Sequence, residues 1–227
     1  MAPYTNYALF SCGHQKTSPF NWQDGDIAFL KGVEEFTQGE YDTLIKTRYL
    51  HPKATKHPVI ILEHSKDHKH FLITTVSAYG SGHENNYLPP WKQYNHKCKP
   101  RTAFRAFSGS EKPFYKQNHL QLADGGCFPK PQTSWVYTPS AFVVPSSTLK
   151  EFDKAPKRLR MTQESLKDLL DDMANNIRFT TRWINSNVVR MLEPKELNIQ
   201  KLWQNFNRWD PSYKSMETTS YNWAKVS

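Results

Sequence analysis

The chain has 227 residues, 30 Lys and Arg against 21 Asp and Glu, 14% aromatic side chains and a mean hydropathy of -0.74. That length can bury a substantial core as one domain, or as one domain with an appendage, and the aromatic content excludes a disordered chain. No apolar run approaches the roughly 18 residues that a membrane helix needs, so a transmembrane segment is excluded.

The net charge of +9 and pI near 9.4 point to a polyanionic partner. Nucleic acid comes ahead of an anionic membrane surface, and no membrane association is carried forward. Residues 1–50 carry 4 basic and 6 acidic side chains, residues 51–150 carry 13 and 5, and residues 151–227 carry 13 and 10, so the middle stretch holds +8 of the +9. The start, from Met1 to Tyr7, has neither a basic nor an apolar leader pattern, and a cytoplasmic or nuclear location is expected. Cys12, Cys98 and Cys127 are odd in number and far apart. They lack the spacing of a disulfide framework or a zinc site and read as reduced thiols.

Residues 1–19 mix aromatics with Ser, Gly, Asn and Pro and are expected to be a lead-in segment. Asp24-Gly25 is a turn signal, after which Ile27, Phe29 and Leu30 start a first strand bounded by Gly32. Residues 33–55 read as a long loop with one short helical turn; loops of that length are often functional. The stretch from Lys56 to Tyr79 is the centre of the chain. Val59 to Leu62 is a continuous apolar run, suited to a strand buried on both faces. Residues 64–69 form the connection, and residues 71–79 the return strand of a hairpin. Gly80, Gly82 and Pro89-Pro90 mark a loop, and the segment that follows, to Lys130, is rich in basic and aromatic residues, with short strands expected at residues 102–107 and 119–122. Trp135 to Thr138 and Ala141 to Val144 read as strand, break, strand. Near Lys150 the composition shifts. Thr162 suits a helix N-cap and Glu164 its first turn, ahead of an apolar stripe at Leu166, Leu169, Leu170, Met173 and Ile177. The stripe can continue through Ile184, Val188 and Met191 to Pro194, and a last helix is expected over residues 196–209.

This order of features resembles the PemK/MazF-like toxin family. The residues that carry the likeness are Gly25-Asp26-Ile27 opening a strand, then a basic residue and Pro58 before Val-Ile-Ile-Leu, then a strand ending in Thr75-Val76-Ser77, and a helix start within residues 159–170. The resemblance implies a small SH3-like β-barrel, placed over residues 20–150; the insert over residues 84–130 and the tail after Ile177 exceed what the small family members carry, so the chain is expected to be α+β, the barrel carrying inserted loops and a C-terminal helical extension over residues 151–227. The resemblance also implies an endoribonuclease that cuts single-stranded RNA without metal or cofactor. Such proteins are commonly homodimers neutralised by a protein inhibitor. Carried over, the proline is Pro58, the hydroxyl position is Ser77 with Thr75 two residues earlier, and the position of the family's arginine is His57. Histidine cannot reproduce a bidentate guanidinium. It can act as general acid or base near neutral pH, with Lys56 supplying fixed charge. Loss of activity with retention of a binding groove is the alternative: a non-catalytic module that binds nucleic acid or protein through the groove or the helical tail.

Two further groups stand out. Trp91, Tyr94, Arg101, Arg105 and Lys116 combine aromatic faces with cations, as single-stranded nucleic acid requires, although core packing competes for each aromatic. His64, His68 and His70, with Asp67 between them, could present donors to a metal, but a solvated polar turn is the simpler reading and no metal is expected. Asp26 reads as a turn or cap residue rather than a base. The chain has no Walker, HExxH or GxSxG pattern.

Overall fold

The computed structural model describes residues 21–64 and 68–174. Asp67, the lead-in segment, Cys12, the continuation of the stripe from Ile177 and the helix expected over residues 196–209 lie outside them.

The described residues form an α+β fold with seven strands and two α-helices. The strands are β1 (Ile27–Leu30), β2 (Pro58–His64), β3 (His70–Ser77), β4 (Phe104–Ala106), β5 (Trp135–Tyr137), β6 (Phe142–Pro145) and β7 (Leu149–Glu151). Their order is β4-β5-β3-β2-β1-β7, with β6 also paired to β3, and every pair of named strands is antiparallel. β4 and β7 are the two ends and do not pair with each other, so the sheet is open.

The hairpin is central, as its β-branched runs predict. Val59 to Leu62 and Phe71 to Val76 are buried throughout. Both faces are covered because successive side chains alternate between two cores. Ile60, Leu72 and Val76 join one core with Ile27, Val136, Leu166, Leu169 and Met173. Val59, Ile61, Phe71 and Ile73 join the other with Trp22, Leu30, Leu44 and Leu50. A register shift between Ile61 and Glu63 places the bulge at the hairpin's distal end.

β3 is shared by two groups of strands. One of its edges pairs with β2. The other pairs with β6 over His70 to Ile73 and with β5 at Val76 and Ser77. The break predicted between those strands sits at Ser140, whose carbonyl accepts from Thr74 Oγ1 at 2.6 Å. β7 was not legible as a strand. Its Leu-Lys-Glu has one apolar residue, and pairing with β1 makes it extended. The strand expected at residues 119–122 is reduced to isolated bridges, Phe107 to Leu120 and Leu122 to Met161.

The segment over residues 33–55 holds more helix than one turn. Thr37 and Glu40 form a reciprocal cap, Glu40 N to Thr37 Oγ1 at 3.3 Å and Thr37 N to Glu40 Oε2 at 2.7 Å. They start α1 (Gln38–Glu40), which widens to π-helical spacing over Tyr41–Lys46. Buried Leu44 and Ile45 then cap one core. The second helix, α2 (Gln163–Ala174), starts as its cap predicts, with Ser165 N donating to Thr162 Oγ1 at 3.2 Å. Leu166, Leu169 and Met173 then pack into the same core as β1, β2 and β3.

Gly109 shapes the loop that follows β4. Its φ is +95°, and an added Cβ would lie 2.9 Å from Pro131 Cβ and 3.1 Å from the Pro131 carbonyl oxygen. Gly109→Ala is therefore expected to destabilise by about 1–3 kcal/mol. A denaturant midpoint equal to that of the parent would refute this.

Candidate functional site

β1 positions the start of β2. Leu30 N donates to the His57 carbonyl and Lys56 N to the Leu30 carbonyl, each at 3.0 Å, with Lys56 in the left-handed region at φ 60°. That geometry sends the Lys56 side chain into solvent, where Nζ meets Glu34 Oε1 at 2.6 Å. The ammonium holds the Glu34 carboxyl below the usual carboxylate range. The His57 ring is half-buried, and burial lowers its pKa from the ordinary value, opposed by a hydrogen bond to the Lys53 main chain. Burial therefore favours the neutral form of the His57 imidazole.

Across the hairpin, Val59 pairs with buried Thr75. The paired register ends there: His57 precedes β2 and accepts from Leu30 N of β1, and Ser77 is paired with Trp135 of β5. Ser77 is partly exposed, its Oγ accepts from Tyr79 N at 3.1 Å, and it lies opposite Trp135 on its other side. Residues opposite each other share a face. Thr75 and Ser77, two apart on β3, share one face of the sheet. They mark the seam between two coverings: the core around Trp22, Leu44 and Leu50, and the cluster of Phe104, Ala106 and Trp135. Thr75 and Ser77 share a face, His57 lies just before β2, and Lys56 has its charge engaged by Glu34.

The expected nucleic-acid residues divide. Tyr94 and Lys116 are exposed, with Lys97 Nζ 4.1 Å over the Tyr94 ring and Lys116 Nζ 5.7 Å from the Tyr115 ring. Arg101 is exposed and lies between the Trp91 and Phe114 rings. Trp91 is half-buried against Phe104 and Trp135, so core packing claims it. Arg105 is not at the surface at all, and the reading of it as a phosphate ligand is corrected. Its side chain is 2% exposed and is held by Asp168 at 2.5 Å and by Asp172, with the Asp168 and Asn118 carbonyls accepting as well. It latches β4 to α2.

Asp26 is fully buried and does serve a turn, accepting from Gln23 N at 2.9 Å. It is also paired with Arg160 Nε at 2.6 Å and with Arg158 at 3.7 Å, a burial that no local pattern announces. In the histidine group, His64 Nδ1 lies 2.6 Å from Asp24 Oδ1, and the His64 and His68 rings stack 4.4 Å apart. Among the described residues no three His, Cys, Asp or Glu side chains are placed to hold a metal ion.

One cluster beside Ser77 was not read from the sequence. Tyr79, in the left-handed region at φ 51°, turns the chain out of β3. His96 Nε2 donates to the Tyr79 carbonyl at 3.2 Å, and Lys99 Nζ sits 4.8 and 5.0 Å from the Tyr79 and Tyr137 rings. Burial and the Lys99 charge lower the His96 pKa, and burial raises that of the Tyr79 phenol. The only local signal was the aromatic before Gly80-Ser81-Gly82; the partners come from 17 to 58 residues away, at His96 and Tyr137.

No protein-family model, no curated protein and no solved structure matches the chain.

Proposed function

We propose that the chain is an RNA-binding protein of PemK/MazF type that cleaves single-stranded RNA without metal, on an SH3-like barrel. The observation that supports the reading is the hairpin, whose paired register runs to Val59 and Thr75, so that His57 just before β2 and Ser77 at the end of β3 lie at the same end of it. The run of antiparallel neighbours β7-β1-β2-β3-β6 is the part of the sheet that such a barrel would use.

The chemistry follows from the residues. Neutral His57 takes the proton of a ribose 2′-hydroxyl as that oxygen attacks the adjacent phosphorus. The phosphorus–5′-oxygen bond breaks, a cyclic phosphate forms, and the departing oxygen is protonated by solvent or by the imidazolium. The Ser77 hydroxyl donates to a non-bridging oxygen as charge develops there. Lys56 reaches the phosphate by exchanging its exposed ion pair with Glu34, which water screens.

The test is a labelled single-stranded RNA incubated with the protein in EDTA. Discrete fragments ending in cyclic phosphate are expected. Intact RNA held in a salt-sensitive manner would replace cleavage by binding without turnover, and no retention at low salt would remove both.

A further inference from the structure

Two stretches of the basic segment lie side by side. Lys92 Nζ is 2.7 Å from Glu111 Oε1, and the Arg101 guanidinium carbon is 5.8 Å from the centre of the Trp91 ring and 5.1 Å from that of Phe114. The edge they form keeps its rings in solvent: Tyr94 is 79% exposed, Tyr115 82% and Phe114 40%. An adjacent aromatic cluster, with Phe104 and Trp135 buried and Trp91 half-buried, was available to absorb them. Each exposed ring has its own cation, Lys97 at Tyr94, Arg101 at Phe114 and Lys116 at Tyr115. Cation–π contact accounts for each pair but not for three such pairs presented outward on neighbouring stretches. Residues 79–130 hold 8 basic and 3 acidic side chains; with Arg105 buried against Asp168 and Asp172, the other 7 basic residues leave an excess of 7 − 3 = 4 positive charges.

We propose that this edge, made of Tyr94, Lys97, Arg101, Phe114, Tyr115 and Lys116, is a binding site for an unpaired nucleotide strand, separate from the seam at His57 and Ser77. Each ring offers a face on which a base stacks, and each cation a charge for the phosphate beside it. Stacking is indifferent to base identity and to the 2′-hydroxyl, so RNA and DNA strands bind alike. A duplex, whose bases already stack on one another, does not. The site shares with the proposed function only the polyanionic strand and does not need cleavage.

The experiment is fluorescence anisotropy on the full chain with oligothymidine and with 2′-O-methyl oligouridine, neither of which can be cut through a 2′-hydroxyl. The parent protein binds both, and duplex DNA more weakly. Tyr94→Ala with Tyr115→Ala weakens both about fivefold or more per ring. Lys97→Ala and Lys116→Ala each reduce the salt slope by about 0.7. All four side chains are exposed, so these variants fold. Unchanged affinity in the double tyrosine variant, or duplex bound as tightly as single strand, overturns the site. If the parent cuts RNA while the variant binds DNA as before, only this site falls. If the variant loses DNA binding and the parent never cuts RNA, only the cleavage reading falls.

Discussion

Replacing His57 by alanine is expected to slow RNA cleavage about 10²–10⁴-fold, the range that a positioned proton-transfer group supplies, with little loss of stability. The half-buried ring makes one hydrogen bond to the Lys53 main chain and belongs to neither apolar core. The pH profile separates a base from a bystander. Because burial lowers the His57 pKa, the neutral form persists below the ordinary histidine value of about 6.5. A rate that needs the neutral form stays full above the lowered pKa and falls only as pH drops through it. The acid limb is therefore expected below about pH 6.5. His57→Arg adds a contrast: a guanidinium does not titrate in that range and grips phosphate with two donors. That variant should bind RNA more tightly and lose the acid limb. An unchanged rate in His57→Ala would end the assignment.

Neutralising both acids that face Arg105 is expected to unfold the protein at markedly milder conditions. The Arg105 side chain is 2% exposed and stays charged at any ordinary pH, while Asp168 and Asp172 are 48% and 42% exposed. Asp168→Asn with Asp172→Asn leaves a buried cation without countercharge. The loss is about 2–4 kcal/mol, set below the full value for a buried pair because half the interaction is already solvated. At roughly 2–4 °C per kcal/mol, the melting temperature falls by about 5–15 °C. Arg105→Met is expected to lose much less, since it removes the buried charge, keeps most of the volume and leaves two carboxylates that water can reach. Equal losses in the two variants would show that packing, not charge, makes the latch.

What was legible in the sequence was what short-range pattern determines. The β2–β3 hairpin showed because uninterrupted Val-Ile-Ile-Leu and Phe-Leu-Ile runs leave no solvated face, and the start of α2 because Thr162 and the Leu166–Leu169–Met173 spacing are local. β7 did not show, since its strand character comes from β1 more than a hundred residues earlier. Arg105 was legible as a cation among aromatics, which on composition alone means surface. Its burial depends on two acids one helical turn apart on α2, at residues 168 and 172. Asp26 needed Arg160 in the same way. The seam was legible in part: Thr75 and Ser77 were singled out and share a face of β3, while His57 lies before β2, where no strand pairing sets its partner. The cluster of Tyr79, His96, Lys99 and Tyr137 was not, because no spacing relates its members.

The closing of β1 by late residues has a consequence for synthesis on the ribosome. β1 pairs with β7, Met161 N donates to the Gly25 carbonyl at 2.8 Å, and Asp26 finds its cation at Arg160. Until roughly residue 161 has left the exit tunnel, the first strand has an open edge and an unpaired carboxylate that cannot be buried cheaply. The hairpin can form early, from contacts close in sequence, but the sheet is completed only once residues 149–161 have emerged. Nascent chains stalled before Arg160 should remain open to protease at β1, and those extended past α2 should not.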